Sequence, residues 1–346
     1  MHSVFCLVAE SSVLSSAQAA PDAVSEVRLS ESGKDGYDTY RIPSIIKAKN
    51  GTLLAFCEAR EDGRSDTGNI DLVMKRSTDS GISWSEQIVL WDDDNNTCGN
   101  PCPVVDQASG IISLLLTWNS DKVHERNIAT GFGQDSRKVF LTTSADHGQT
   151  WSEPTNITST TKRESWSWYA TGLEAGIQIQ LGPHAGRLVI PCDHKEPRNG
   201  NTDDFSHVIY SDDTGITWQL GGRSPQPKTN ECELVELTDG RLMLNMRNYR
   251  AGAKVRQVCF SNDGGTSWSG QRQDEILIEP ICQASIRRIK WPEASQRRFA
   301  NTSQQETILG QQIHQAHVRP ATARVLQTAS RVKRKPVARC TESSPN

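Results

Sequence analysis

No stretch of this chain approaches the roughly 20 consecutive apolar residues that a membrane-spanning helix needs, so no such span is expected. A dominant charge is missing too. The formal net charge is −3 over 346 residues, and bulk electrostatics gives no reason to expect a nucleic-acid or polyanion partner. No segment sustains the apolar period of an amphipathic helix, which removes helical bundles. The nine cysteines are odd in number and scattered from Cys6 to Cys340, unlike a compact disulfide framework. Cys98 and Cys102 are close enough to suggest a metal, but no second cysteine pair or suitably spaced histidine accompanies them. Neither a metal nor a cofactor is therefore expected. Aromatics make up only 6% of the chain, yet nine are Trp against five Tyr. That skew fits a repeated structural use of Trp.

What is present is a set of short strand candidates bounded by Gly, Asn and Asp. Leu53-Leu54-Ala55-Phe56, Leu72-Val73-Met74, Ile111 through Leu116, Val139-Phe140-Leu141, Val208-Ile209-Tyr210 and Val255 through Val258 all have this form. The chain is expected to be all-β. Between the strands an octet recurs four times: Ser77 to Trp84, Ser144 to Trp151, Ser211 to Trp218 and Ser261 to Trp268. Successive octets start 67, 67 and 50 residues apart. Repeats near 50 residues with about four strands each mark a β-propeller. Within the octet, Asp and Ser can bond backbone N–H groups, and Gly can supply a positive φ. The closing Trp can pack on the sheet, with an indole N–H that wants a partner. These residues are expected to be scaffold.

Three regions follow. Residues 1–23 hold a short apolar run, Val4 to Ala9, and a signal-peptidase-like Ala17-Gln18-Ala19, but Glu10 breaks the run and no basic segment precedes it. They read as a possible leader or a disordered start. Residues 24–299 carry the repeats. Residues 300–346 hold no Phe, Trp or Tyr, six Gln, and seven Lys or Arg against two acidic residues. That composition is unable to supply the faces of another blade, and the segment is expected to be a basic, disordered tail, read as non-family sequence that follows a truncation or frameshift after Arg298-Phe299 in preference to a natural disordered tail.

The octets are the Asp-box of the sialidase (neuraminidase) superfamily, which the chain resembles from about Val24 to Phe299. Tyr40-Arg41-Ile42-Pro43 is similar to that family's Arg-Ile-Pro motif, and Asp66-Thr67-Gly68-Asn69-Ile70-Asp71 to its acid loop. Asn230-Glu231-Cys232-Glu233 and Asn245-Met246-Arg247-Asn248 resemble its Glu and second-Arg strands. The resemblance implies a six-bladed sialidase-type β-propeller, incomplete in its last blades, acting by a retaining mechanism on terminal sialic acids of glycoconjugates. Sialylated glycans would then be the partners. A secreted, periplasmic or lysosome-like location is favoured over a cytoplasmic one. The alternative is a non-catalytic Asp-box propeller that binds sialylated glycans or proteins.

The charged residues fit that chemistry. Sialic acid carries a carboxylate on its anomeric carbon, and a guanidinium meets a carboxylate with two parallel donors. Arg41 and Arg247 are the candidates; Arg247 also sits in an apolar run, where an unpaired charge would be costly. Arg60 is implied by the resemblance to touch the sugar's 4-position. Asp66 is implied to protonate the leaving oxygen and later activate water, with Asp71 as a competitor on the same loop. A carboxylate nucleophile would face the substrate's own carboxylate, and sialidases use Tyr instead. Phenol needs an adjacent base, for which Glu231 is the candidate ahead of Glu233 and Glu236. Glu231 and Arg247, 16 residues apart, are expected on adjacent strands. The family's third Arg and its Tyr have no counterpart: no tyrosine follows Tyr249. The chain is therefore expected to turn over poorly or not at all.

Overall fold

The computed structural model describes residues 26–198, 201–279 and 281–288, together with the strand Thr322–Leu326. Strand β1 is Glu26–Glu31. The first meander is β2 (Thr39–Lys47), β3 (Leu53–Arg60), β4 (Ile70–Ser77) and β5 (Ile88–Trp91). The second is β6 (Thr97–Val105), β7 (Ile112–Asn119), β8 (Lys138–Ser144) and β9 (Thr155–Asn156). The third comprises β10 (Tyr169–Thr171), β11 (Ile177–Gln178), β12 (Leu188–Arg198), β13 (Asn201–Ser211) and β14 (Gln219–Arg223). The fourth is β15 (Thr229–Glu236), β16 (Leu242–Asn248), β17 (Val255–Ser261) and β18 (Ser269–Ile278). Each is antiparallel, with sequence neighbours paired except in the third, where β10 and β11 both pair with β12; a single parallel bridge, Ile70 to Thr97, joins the first to the second. The fold is all-β and of the propeller type. Its sixth blade, as a count, lies outside what the described residues show.

Apolar side chains fill the spaces between successive blades. Leu54, Phe56, Leu72 and Met74 of the first blade meet Ile112, Leu114 and Leu116 of the second. Leu115, Val139 and Leu141 then meet Tyr169, Leu188 and Ile190 of the third, and Val189 and Val208 meet Leu234, Leu242 and Leu244 of the fourth. The octet tryptophans plug these seams: Trp151 packs on the first, Trp218 lies in the second and Trp268 in the third.

In every octet the Asp carboxylate caps the turn. Asp213 accepts the Thr217 N–H at 2.8 Å and the Thr217 hydroxyl at 2.5 Å, while Ser211 Oγ accepts the Gly215 N–H at 2.9 Å. Two consecutive residues take the left-handed conformation, Thr214 with φ 62° and Gly215 with φ 94°. The sequence led us to expect that only at Gly. The indole donors differ as well. Trp84 and Trp218 donate to the Gly81 and Gly215 carbonyls at 3.1 Å, whereas the Trp151 and Trp268 donors have no partner among the described residues.

Register places the octets away from the motif arginines. At one end of the first blade Thr39 pairs with Arg60 and Arg60 with Ile70; at the other Lys47 pairs with Leu53 and Leu53 with Ser77. Eight residues of strand separate these ends, about 25 Å. The motif residues Arg41 and Arg60 lie at one end, and the octet at the other.

Within 300–346, where no strand was expected, Thr322–Leu326 pairs antiparallel with β1, Glu26 opposite Leu326 and Glu31 opposite Thr322. Backbone pairing requires no aromatic faces, and β1 supplies a free edge. The rest of the expected tail, and the expected leader at 1–23, lie outside the described residues.

Candidate functional site

Bulges on first strands aim the site. On β2 the register slips between Arg41 and Ser44, with Ile42 at φ 54°. On β6 it slips between Gly99 and Cys102, with Asn100 at φ 54°. On β15 it slips between Thr229 and Cys232, across Asn230 and Glu231. A bulge frees a side chain from the alternation of its strand and re-aims it, a device common beside active sites. A β-branched Ile at positive φ is a strained conformation, held by the surrounding sheet.

Arg41, Arg60 and Asp66 come together. One oxygen of Asp66 lies 2.8 Å from Arg41 Nη1 and 2.8 Å from Arg60 Nη1. Asp66 is half-exposed on the loop between β3 and β4, and Arg41 is similarly open. Arg60 is buried and donates to the Arg64 and Ser65 carbonyls at 2.8 and 2.6 Å, so it also pins the loop that carries Asp66.

Glu231 and Arg247 form the second group. Arg247 Nη1 donates to Glu231 Oε2 at 2.6 Å, from β16 to the adjacent β15. The strand relation expected from the sequence holds, and Arg247 is paired rather than isolated. Burial pushes the Glu231 carboxyl above its ordinary range, Arg247 pulls it part of the way back, and the charge of Asp66 adds to the rise.

The competing carboxylates are occupied elsewhere. Asp71 is buried and accepts the Tyr37 hydroxyl at 2.5 Å; burial raises it to about 6. Glu233 is buried, accepts the Ile286 N–H at 2.8 Å and pairs with Arg287. Glu236 accepts the Gln180 and Leu181 N–H groups. Cys98 and Cys102 are buried in β6, where burial pushes both thiols up. Tyr249 is half-exposed with the Arg247 guanidinium 4.9 Å from its ring centre, and burial pushes its phenol up, the wrong direction for a nucleophile.

Sequence reasoning missed Glu58. It is 2% exposed, accepts Arg60 Nε at 3.0 Å and the Asn100 N–H at 2.9 Å, and so fixes Arg60 to the second blade. Gly99 makes room for it: a Cβ there would sit 2.3 Å from Glu58 Oε1. Glu58 stands two residues before Arg60, hence on the same face of β3, and that spacing was the available signal.

A profile of the BNR repeat-like domain matches residues 51–333. Over 276 residues the chain is 32% identical to a sialidase of Micromonospora viridifaciens, covering 78% of this chain and 42% of that protein. This chain belongs to the sialidase superfamily. It is also 31% identical over 270 residues to human Sialidase-4, covering 72% of this chain and 54% of that one. Among solved structures, a Hadza microbial sialidase superposes with a TM-score of 0.68 at 26% identity, over 77% of this chain and 53% of the other. The chain spans about half the length of these sialidase relatives.

Proposed function

We propose that this is the ligand site of an exo-α-sialidase, built to receive a terminal sialic acid of a glycoprotein, glycolipid or oligosaccharide. The observation that carries the reading is the pairing of each receptor guanidinium with a carboxylate suited to proton transfer: Arg41 with Asp66, and Arg247 with Glu231. A ligand carboxylate would compete with Asp66 and Glu231 for those donors, two parallel N–H groups at a time. Asp66, on an open loop, would protonate the glycosidic oxygen and afterwards activate water. Arg60 would meet the 4-position while holding the Asp66 loop. Glu231, partly desolvated and raised, would be the base for a phenol nucleophile in a retaining sequence.

That nucleophile has no candidate in this chain, since no tyrosine follows Tyr249 and the Tyr249 phenol is pushed up. The third guanidinium has none either. Binding with little turnover is the expected behaviour, which is also what a non-catalytic propeller for sialylated glycans would show. Turnover of a fluorogenic sialoside by the purified chain, beside Asp66→Ala and a chain lacking residues 300–346, tests the reading. Slow or no turnover in all three is expected. Normal enzymatic turnover abolished by Asp66→Ala would show the site to be complete without the family's Tyr. Turnover indifferent to Asp66→Ala would remove Asp66 from the chemistry.

A further inference from the structure

We propose that Asp193 is a positioning residue for Glu231, acting through Asn230 and Trp168. The proposal rests on the reading of Glu231 as the base of the site. Asp193 lies on β12 of the third blade and is 1% exposed. No Lys or Arg lies in ion-pair distance of it among the described residues. Its Oδ2 instead accepts two neutral donors, Trp168 Nε1 at 3.0 Å and Asn230 Nδ2 at 2.9 Å.

Asn230 is the residue before Glu231 and stands in the bulge that frees both from the alternation of β15. Its side chain is anchored to Asp193 and its carbonyl accepts the Ser206 hydroxyl. The bulge is thus fixed from the neighbouring blade at two points. Trp168 is itself held, with the Arg137 guanidinium 4.2 Å above its ring. A continuous set of contacts runs from the second blade through Trp168 and Asp193 to the peptide that carries Glu231. A loosened base costs catalytic and binding geometry even when every functional group remains.

Two further observations agree. Burial pushes the Asp193 carboxyl well above its ordinary range, and the Glu231 charge is the next largest contribution to that rise. The charged groups around the pair are Lys195, Asp204 and Arg137 near Asp193, and Arg247, Arg256 and Asp66 near Glu231. Because one oxygen accepts both donors, the carbonyl of an Asn at this position could accept both as well. Asp193→Asn therefore keeps the geometry, while Asp193→Leu keeps the branched outline in a larger volume and loses the acceptor.

The test is a carbon-detected NMR titration of the Glu231 carboxyl in the full chain, with binding of the 2,3-dehydro analogue of N-acetylneuraminic acid measured alongside. In Asp193→Leu the Glu231 midpoint should fall by about half a pH unit or more, as the freed carboxylate gains water. Analogue affinity should drop about tenfold or more. Asp193→Asn, which keeps the acceptor and removes only the charge acting on Glu231, should recover the affinity and leave a smaller shift of the midpoint than Asp193→Leu. If Asp193→Leu does not fold, Trp168→Phe and Asn230→Ala each remove one donor and should move the Glu231 midpoint the same way. An unchanged Glu231 midpoint in folded variants, with only the melting temperature lowered, would reduce Asp193 to a structural residue and overturn the proposal. An analogue that binds no variant, wild type included, while the Glu231 midpoint still responds to Asp193, would sink the sialic-acid reading and leave the positioning intact.

Discussion

Arg247 Nη1 and Glu231 Oε2, 2.6 Å apart, join residues on neighbouring strands whose side chains are each about one-fifth exposed. Removing Arg247 leaves the carboxylate without an ion-pair partner among the described residues, with Arg256 acting on it only from farther away. A fully buried pair broken in this way costs about 3–5 kcal/mol; with this exposure, about 1–3 kcal/mol is expected for Arg247→Ala. Glu231→Gln should cost less, because it removes the charge and keeps an acceptor for Arg247. Urea unfolding of the two variants at neutral pH checks the order.

Gly99→Ala should disturb a residue far from it in sequence. The added Cβ meets Glu58 Oε1 at 2.3 Å, and that oxygen cannot swing away freely because Arg60 and the Asn100 N–H hold its carboxylate. A destabilisation of about 1–3 kcal/mol is expected, as for other overpacked sites. Sialic-acid affinity should fall with it, since Arg60 carries the Asp66 loop. Thermal melts and a ligand titration of the same sample read both effects.

Asp71 should shape stability without serving the ligand. Its folded value, about 6, lies above the unfolded 3.8. Its contribution is therefore fully present below about pH 3.8 and lost as the pH rises through about 6. Asp71→Asn keeps an acceptor for the Tyr37 hydroxyl and should flatten the stability profile across that window. A profile unchanged by the substitution would contradict the burial that raises Asp71.

The octets carry the opposite sign. Hydrogen bonds from Ser83 and Ser77 lower Asp79 to about 2, and Asp146, Asp213 and Asp263 are lowered as well. Their contribution is present above the ordinary 3.8 and is lost as pH falls toward about 2. The melting temperature should drop through that interval, and each octet Asp→Asn change should remove part of the drop. Ligand affinity at neutral pH should not respond, because the octets sit at the far end of the blades.

The octets were legible because their chemistry is local: every hydrogen bond of the turn closes within one octet, from Ser211 to Thr217 in the third, so the order of residues is enough. The motifs singled out Arg41, Asp66, Glu231 and Arg247, which the structure brings into two ion pairs, and strand spacing gave the Glu231–Arg247 adjacency. Glu58, Asn100 and Asp193 were not legible. Their contacts arise from bulges and from packing between blades, which bring together residues 37 to 42 apart in sequence. Cys98 and Cys102 have the spacing of ligands yet flank the β6 bulge as buried packing thiols. Nor could composition foresee Thr322–Leu326, because a strand can be recruited by the free edge of another.

The most direct measurement is a calorimetric titration of the full chain with the 2,3-dehydro analogue of N-acetylneuraminic acid, alongside its carboxylate methyl ester and the Arg41→Ala and Arg247→Ala variants. The expected result is saturable binding of the free acid, weakened about tenfold or more by esterification and by either substitution, since each removes a charge-assisted pair. Binding that ignores both the ester and the loss of the arginines, or no binding at all, would contradict a site organised around a sialic-acid carboxylate.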